Sequence, residues 1–324
     1  MNKNKINKLV IAVTFFYVED RLRYLKQIAS QYNNLVERVE VFIITNTNIK
    51  DEQNNIIDAI KDYNLNYKIM VPELLGHPFL LTWCHLNLFK WLFDNDEEIS
   101  HFMYTEDDIC VNRANMDYWV KGRNDLREYG LIPSFFRYEI NSYNGKLYSS
   151  DQIEHINPYE IPRVDISQDY SYVNLPKPYQ GIYLLDRDLM GEHLNGPSSS
   201  PDFGIWDMRA IAVNGIWDIR AKAAQGIMFA NVPSGCNSRN FVGYNLKTGL
   251  LDPGCLIHHT PNNYANNPKI KKLGKLPIQD LFYPKLKISF RTPRLKPAST
   301  AFESIKPYVP KPLRPVIRRL LARF

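Results

Sequence analysis

The sequence predicts an α/β fold: a mostly parallel central sheet with helices on both faces, then a smaller second region and a basic tail. Three observations carry this. Short apolar runs alternate with helix-length segments through the first third of the chain, the rhythm of strands covered on both faces. With 324 residues, 44% of them apolar and 13% aromatic, the chain can close a substantial core. After Arg113 the rhythm breaks into tracts with many Pro, Tyr and Asn, which marks a change of architecture.

The elements follow in order. LVIAVTFFY (9–17) reads as a buried strand, 21–32 as a helix, and VEVFIITN (39–46) as a second strand. Residues 52–62 suit a short helix, YKIMVPE (67–73) a third strand and 79–93 a strongly apolar helix whose Trp83 and Trp91 read as core. ISHFMY (99–104) is then the fourth strand, and a helix at about 114–128 follows it. In the second region FFRYEI (135–140) and YQGIYLLD (179–186) stand out, the latter as another strand.

IWDMRAIAVNG (205–215) is followed directly by IWDIRAKAAQG (216–226). Eleven residues are close to three helical turns, so Trp206 and Trp217 would share a face, with Asp207 over Asp218 and Arg209 over Arg220. Two copies are too few for a solenoid. GLLDPGCLIHHTPNNYANNP (249–268) gives a turn, a short strand, two adjacent histidines and an Asn-rich loop.

Charge is unevenly placed. Residues 285–324 hold eleven Lys or Arg and one acid, Glu303, so against +6 for the whole chain the tail carries +10 and the remainder about −4. Prolines at 293, 297, 307, 310, 312 and 315 argue against an independent core there, and LRPVIRRLLARF suits a short amphipathic helix on an anionic membrane surface. Basic charge confined to one terminus, with no reader motif, argues against nucleic acid as a partner. The apolar run VIAVTFFYV (10–18) is too short to span a bilayer, so the expected location is cytoplasmic, at the inner face of the plasma membrane. The four cysteines lie far apart with no Cys-x-x-Cys pair, which speaks against a Cys-based zinc site or a disulfide framework.

The informative stretch is HFMYTEDD (101–108). Three adjacent charges cannot be buried without partners, so Glu106, Asp107 and Asp108 must face solvent, cap the following helix, or hold a cation. In an extended segment the first and third side chains point the same way, so Glu106 and Asp108 can share one hard divalent ion, Mg²⁺ or Mn²⁺, with a diphosphate supplying further ligands. The plainer reading is an acidic N-cap for the helix near 114. The two readings stay open on the sequence.

The chain here resembles the GT-A glycosyltransferases, enzymes that use nucleotide-sugar donors and whose Rossmann-type sheet ends in an acidic DxD-type motif. YTEDD (104–108) is similar to that motif, with Glu106 replacing the first Asp and Asp108 standing as the last. The resemblance covers residues 8–260 as architecture, and its one motif is EDD. It implies a catalytic domain over 1–284, with a donor half at 8–112 and an acceptor half at 113–284. It also implies that Thr14, Phe15 and Phe16 meet the nucleotide base, that Glu106 and Asp108 bind the metal, and that Asp107 and Arg21 lie at the donor. His258 and His259 are similar by position to a late histidine set against the metal or diphosphate. In a strand they face opposite ways, so at most one is a ligand. Asn262, Asn263, Tyr264, Asn266 and Asn267 either order that loop or contact sugar hydroxyls.

An inverting transfer would need a carboxylate base, and SSSPDFGIWD offers Asp202 or Asp207, each of which also suits a helix start. The expected activity is transfer of a sugar, from a UDP-sugar by preference, to a glycan or lipid-linked glycan. The Asn/Lys/Ile-rich composition looks bacterial, pointing to surface polysaccharide or lipopolysaccharide synthesis. Two competitors remain. A nucleotidyl- or phosphotransferase would show a glycine-rich phosphate loop, and TFFYVEDRLRY has no glycine. A non-catalytic carbohydrate- or membrane-binding module would keep EDD as structure.

Overall fold

The computed structural model of the chain describes residues 5–201 and 219–283. Asp202, Asp207, the tryptophans of the repeat, Arg209 and the basic tail lie outside the described residues.

The first third folds as a βαβ succession. β1 (Leu9–Phe15) is buried along its whole length. α1 (Leu22–Tyr32) covers it with Leu25, Ile28, Ala29 and Tyr32, the one apolar stripe that a 3.6-residue period allows. β2 (Val39–Thr45), α2 (Lys50–Ile60), β3 (Tyr67–Met70), α3 (His85–Asn95) and β4 (His101–Glu106) continue the pattern. α3 buries His85, Leu86, Leu88, Phe89 and Leu92, which leaves Trp91 on the opposite face, 61% exposed. Trp83 is buried as expected, but Trp91 is a surface residue and the core expectation for it is corrected.

Next come β5 (Ile109–Cys110), α4 (Arg113–Leu126), β6 (Ile132–Pro133), β7 (Phe136–Ile140) and β8 (Leu147–Ser149). They are followed by β9 (Arg163–Asp165), β10 (Tyr170–Val173), β11 (Ile182–Asp186) and α5 (Arg187–Leu194). α6 (Ile219–Ala223), β12 (Asn240–Asn245), β13 (Leu250–Leu251), β14 (Leu256–His259) and α7 (Asn263–Asn266) complete the described chain.

The central sheet runs β11-β4-β1-β2-β3. β3, β2, β1 and β4 are mutually parallel, and β11 adds to β4 antiparallel. With helices packed about this sheet, the architecture is Rossmann-like α/β. Strand order reverses between β1 and β4, and a crevice forms where successive connections leave in opposite directions. That crevice lies at the carboxyl ends of β1 and β4, between Thr14 and its register partner Glu106.

Two smaller sheets accompany the central one, and the second of them, which carries Arg137 and His259, borders the crevice. One runs β13-β12-β10-β9, with β6 on β12; the other runs β5-β14-β7-β8. The four cysteines are free. Among the described residues no helix is long and apolar enough to cross a membrane.

Candidate functional site

A cleft of about 890 Å³ opens at this crevice, lined by Thr14, Phe16, Arg21, Glu106, Asp107, Asp108 and His259 among others. The three carboxylates do not cap α4. Asn112 does so, in a reciprocal capping box with Asn115, and Asn115 also donates to the carbonyls of Gly254 and Leu256. The N-cap reading of EDD is therefore excluded.

The carboxylates are held by contacts from several parts of the chain. Glu106 Oε1 accepts from the Tyr179 hydroxyl at 2.7 Å, and Oε2 lies 3.9 Å from Arg137 Nη1. The approach of β11 is close because residue 181 is glycine. Its φ is +65°, and a Cβ there would stand 2.9 Å from Glu106 Oε2. Asp107 receives Arg21 Nε at 2.7 Å, and Asp108 Oδ2 receives Arg21 Nη2 at 2.9 Å. Burial and mutual repulsion keep Glu106 above the usual carboxylate range. Burial also pushes Asp107 up to about 7 against the pull of Arg21. Asp108 is the exception: although it is buried, His259 and Arg21 hold it down to about 2.

His259 reaches Asp108 through the small sheet. It pairs with Ile109 across β5 and β14, and Thr260 donates both its amide and its hydroxyl to the Asp108 carbonyl. Its Nε2 lies 3.6 Å from Asp108 Oδ2, while Nδ1 lies 2.6 Å from Glu139 Oε1. Burial disfavours the charged ring, but Asp108 and Glu139 outweigh it and raise His259 to about 9. His258 faces the other way, stacked on Tyr138 with its ring nitrogen 2.9 Å from Asn262 Oδ1. Of the two adjacent histidines only His259 lines the cleft.

The remaining sequence candidates divide. Thr14 and Phe16 line the cleft, but Phe15 is fully buried in the core and offers it no surface. Asn262 and Asn266 order their loop by accepting from the backbone at Ile140 and Ser142, whereas Asn263 and Tyr264 form cleft wall. Lys177 and Arg220 line the cleft as well.

Several residues that matter here carried no sequence prediction. Arg137 is buried, doubly bonded to Asp151 at 2.9 and 2.6 Å, and sits 4.6 Å over the Tyr179 ring. Glu139 is completely buried behind His259. A signal existed in FFRYEI: Arg and Glu alternate with aromatics, and the usual rule would turn the charged face outward. β7 does the reverse, burying Arg137 and Glu139 while Tyr138 and Ile140 are only half-buried.

Among the described residues no group of three or more His, Cys, Asp or Glu side chains forms a ready cation cage. What is present fits a hard divalent ion that brings most of its ligands with it. Asp108 Oδ1 is buried with no hydrogen-bond partner among the described residues, and His259 Nε2 is close by. Mg²⁺-type ions use one or two carboxylates plus substrate phosphates in such settings.

No protein-family model and no curated protein matches the chain. Among solved structures it is similar to S. aureus TarS residues 1–349, with 13% identity and a TM-score of 0.33, covering 57% of this chain and 48% of that one. A second crystal structure of S. aureus TarS gives 13% identity and a TM-score of 0.34 over 57% and 29% of the two chains. The matched region is thus less than half of either TarS chain. A likeness this weak assigns no function, and the cleft itself has to supply the functional reading.

Proposed function

We propose that the chain is a GT-A-like glycosyltransferase that moves a sugar from a nucleotide diphosphate donor, UDP-sugar by preference, to a glycan or lipid-linked glycan. The observation that carries this is the convergence of Glu106, Asp107, Asp108 and His259 at the strand-order reversal, with one Asp108 oxygen buried and unpartnered. Glu106, Asp108 and His259 would hold Mn²⁺ or Mg²⁺, which when bound would neutralise charge on the departing diphosphate.

The chain's own groups have separate tasks in this reading. Thr14, Phe16 and the half-exposed Val18 and Phe79 give one lip of the cleft the apolar surface a nucleoside base requires. Arg21 bonds to Asp107 and to Asp108 Oδ2, which leaves the buried Asp108 Oδ1, unpartnered among the described residues, for the ion. Lys177 and Arg220 bring positive charge to the same wall, where phosphate oxygens would lie. If configuration is inverted, Asp202 or Asp207 would take the acceptor proton. The tail 285–324 would bring the catalytic domain, 1–284, to the anionic inner face of the plasma membrane. Surface polysaccharide or lipopolysaccharide assembly in a bacterium is the setting this suggests.

Titration calorimetry tests the reading. UDP should bind the wild type, Mn²⁺ should tighten that binding, and Asp108→Asn should remove the gain. Glycan binding indifferent to metal, with no affinity for UDP, would instead mean a binding module. Turnover of a nucleoside triphosphate with pyrophosphate release would mean a nucleotidyltransferase.

A further inference from the structure

Glu139 is a buried carboxylate, 0% exposed, with both oxygens committed. Oε1 faces His259 Nδ1 at 2.6 Å, and Oε2 accepts the Ala265 amide at 2.5 Å. Ala265 belongs to α7, which carries Tyr264 into the cleft wall, and the Tyr264 ring lies 5.2 Å from that of His259. One side chain therefore ties together the imidazole and the wall beside it.

We propose that Glu139 is the positioning residue of the site: its carboxylate fixes the His259 ring with Nε2 toward Asp108 and fastens the α7 wall of the cleft to that same ring. The physical argument starts from the acceptor-only character of an ionised carboxylate, which obliges Nδ1 to carry the hydrogen. With Nδ1 committed to Glu139, Nε2 is the nitrogen left to face Asp108, 3.6 Å from its Oδ2. A neutral glutamine could serve one of the two donors, whereas ordering the ring nitrogen and the amide at once needs two acceptor oxygens. Burying a charge for that purpose is costly unless both bonds form, and both do. Carboxylates behind metal-binding histidines act in this way, setting the tautomer and raising ligand basicity. The inference rests on the functional reading above for the identity of the ion.

The test uses the full chain and two probes, UDP titration with and without Mn²⁺ and amide hydrogen exchange over α7. In Glu139→Gln the gain in UDP affinity brought by Mn²⁺ should shrink by about 10- to 100-fold. Exchange at Ala265 should quicken. Glu139→Asp, which keeps the charge but shortens the reach, should give an intermediate loss and covers the case in which the glutamine variant fails to fold. A purely structural role would lower the melting temperature while leaving the ratio of affinities with and without Mn²⁺ untouched, and that result overturns the proposal. Wild-type protein whose UDP affinity ignores Mn²⁺ would remove the functional reading and this role together. A normal wild-type response matched by Glu139→Gln would remove the role of Glu139 alone.

Discussion

Arg21→Met is the sharpest perturbation of the acidic cluster, because it keeps the aliphatic stem and deletes only the guanidinium. Arg21 bonds to both Asp107 and Asp108, whose residues are 4% and 7% exposed. Stripping the cation from a buried pair costs about 3–5 kcal/mol, since the carboxylates stay behind without compensation. The Arg21 side chain is itself 34% exposed, so water already screens part of the interaction and about 2–3 kcal/mol is the better expectation. For a chain of this size that is a fall in Tm of roughly 3–5 °C. Thermal melts followed by circular dichroism would measure it.

The same variant separates a structural from a functional triplet. With Arg21 gone, the freed oxygens of Asp107 and Asp108 should take up a divalent ion more readily, so Mn²⁺ should raise the Tm of Arg21→Met by more than it raises that of the wild type. A variant that melts within about 1 °C of the wild type, with or without Mn²⁺, would refute the reasoning, because it would mean that the carboxylates need no cation at all.

Three further outcomes are expected. His259→Ala should abolish Mn²⁺-dependent UDP binding while His258→Ala leaves it within about two-fold, roughly the effect of a surface substitution of under 0.5 kcal/mol; equal effects would contradict the opposed facing of the two rings. Gly181→Ala should cost about 1–3 kcal/mol and weaken donor binding, since its Cβ would collide with the Glu106 carboxylate at a backbone angle disfavoured for alanine; unchanged urea midpoint and UDP affinity would count against that packing. Burial lowers His85 to about 3 and His101 and His193 to about 4, so all three are neutral when folded and take up protons near pH 6.5 when unfolded. Their contribution is complete above about pH 7 and is lost as pH falls toward 4, each costing about 2 kcal/mol at pH 5, and a urea midpoint equal at pH 7 and pH 5 would contradict it.

The first third of the fold was legible because β1, β2 and β4 are almost wholly buried and read as largely apolar runs, with the half-exposed β3 at the sheet edge and helices of a different period between them. EDD was legible as a cluster for the same reason: charge directly after such a run needs an explanation. The role of EDD was less legible, because acidic residues before a helix suit an N-cap equally well and only the structure shows Asn112 and Asn115 filling that place. Trp91 misled because a strongly apolar helix gives little contrast between its faces. β9, β10 and β12 escaped notice since strands such as YSYV and NFVGYN mix Tyr, Asn and Ser, and their burial comes from neighbours distant in sequence. Glu139 and Arg137 were hidden more deeply, since alternation in β7 carries the opposite meaning when the buried face is the charged one.

That inversion bears on why three carboxylates can stand side by side in a protein interior. Coulomb repulsion among them would be severe if they shared one environment. They do not: Glu106 is tied to Tyr179 and the chain entering β11, Asp107 to Arg21 ahead of α1, and Asp108 to both Arg21 and His259 at the end of β14. Tyr179, Arg21 and His259 come from three separate segments, with Arg21 serving two members, and the β5–β14 pairing fixes the last of these contacts through the backbone as well as the side chains. A cluster meant only to mark the end of a strand would not need such division, and it would not leave one oxygen of its best-ionised member without a partner. The same contacts that make burial of the triplet tolerable keep Asp108 ionised while leaving its Oδ1 without a hydrogen-bond partner among the described residues.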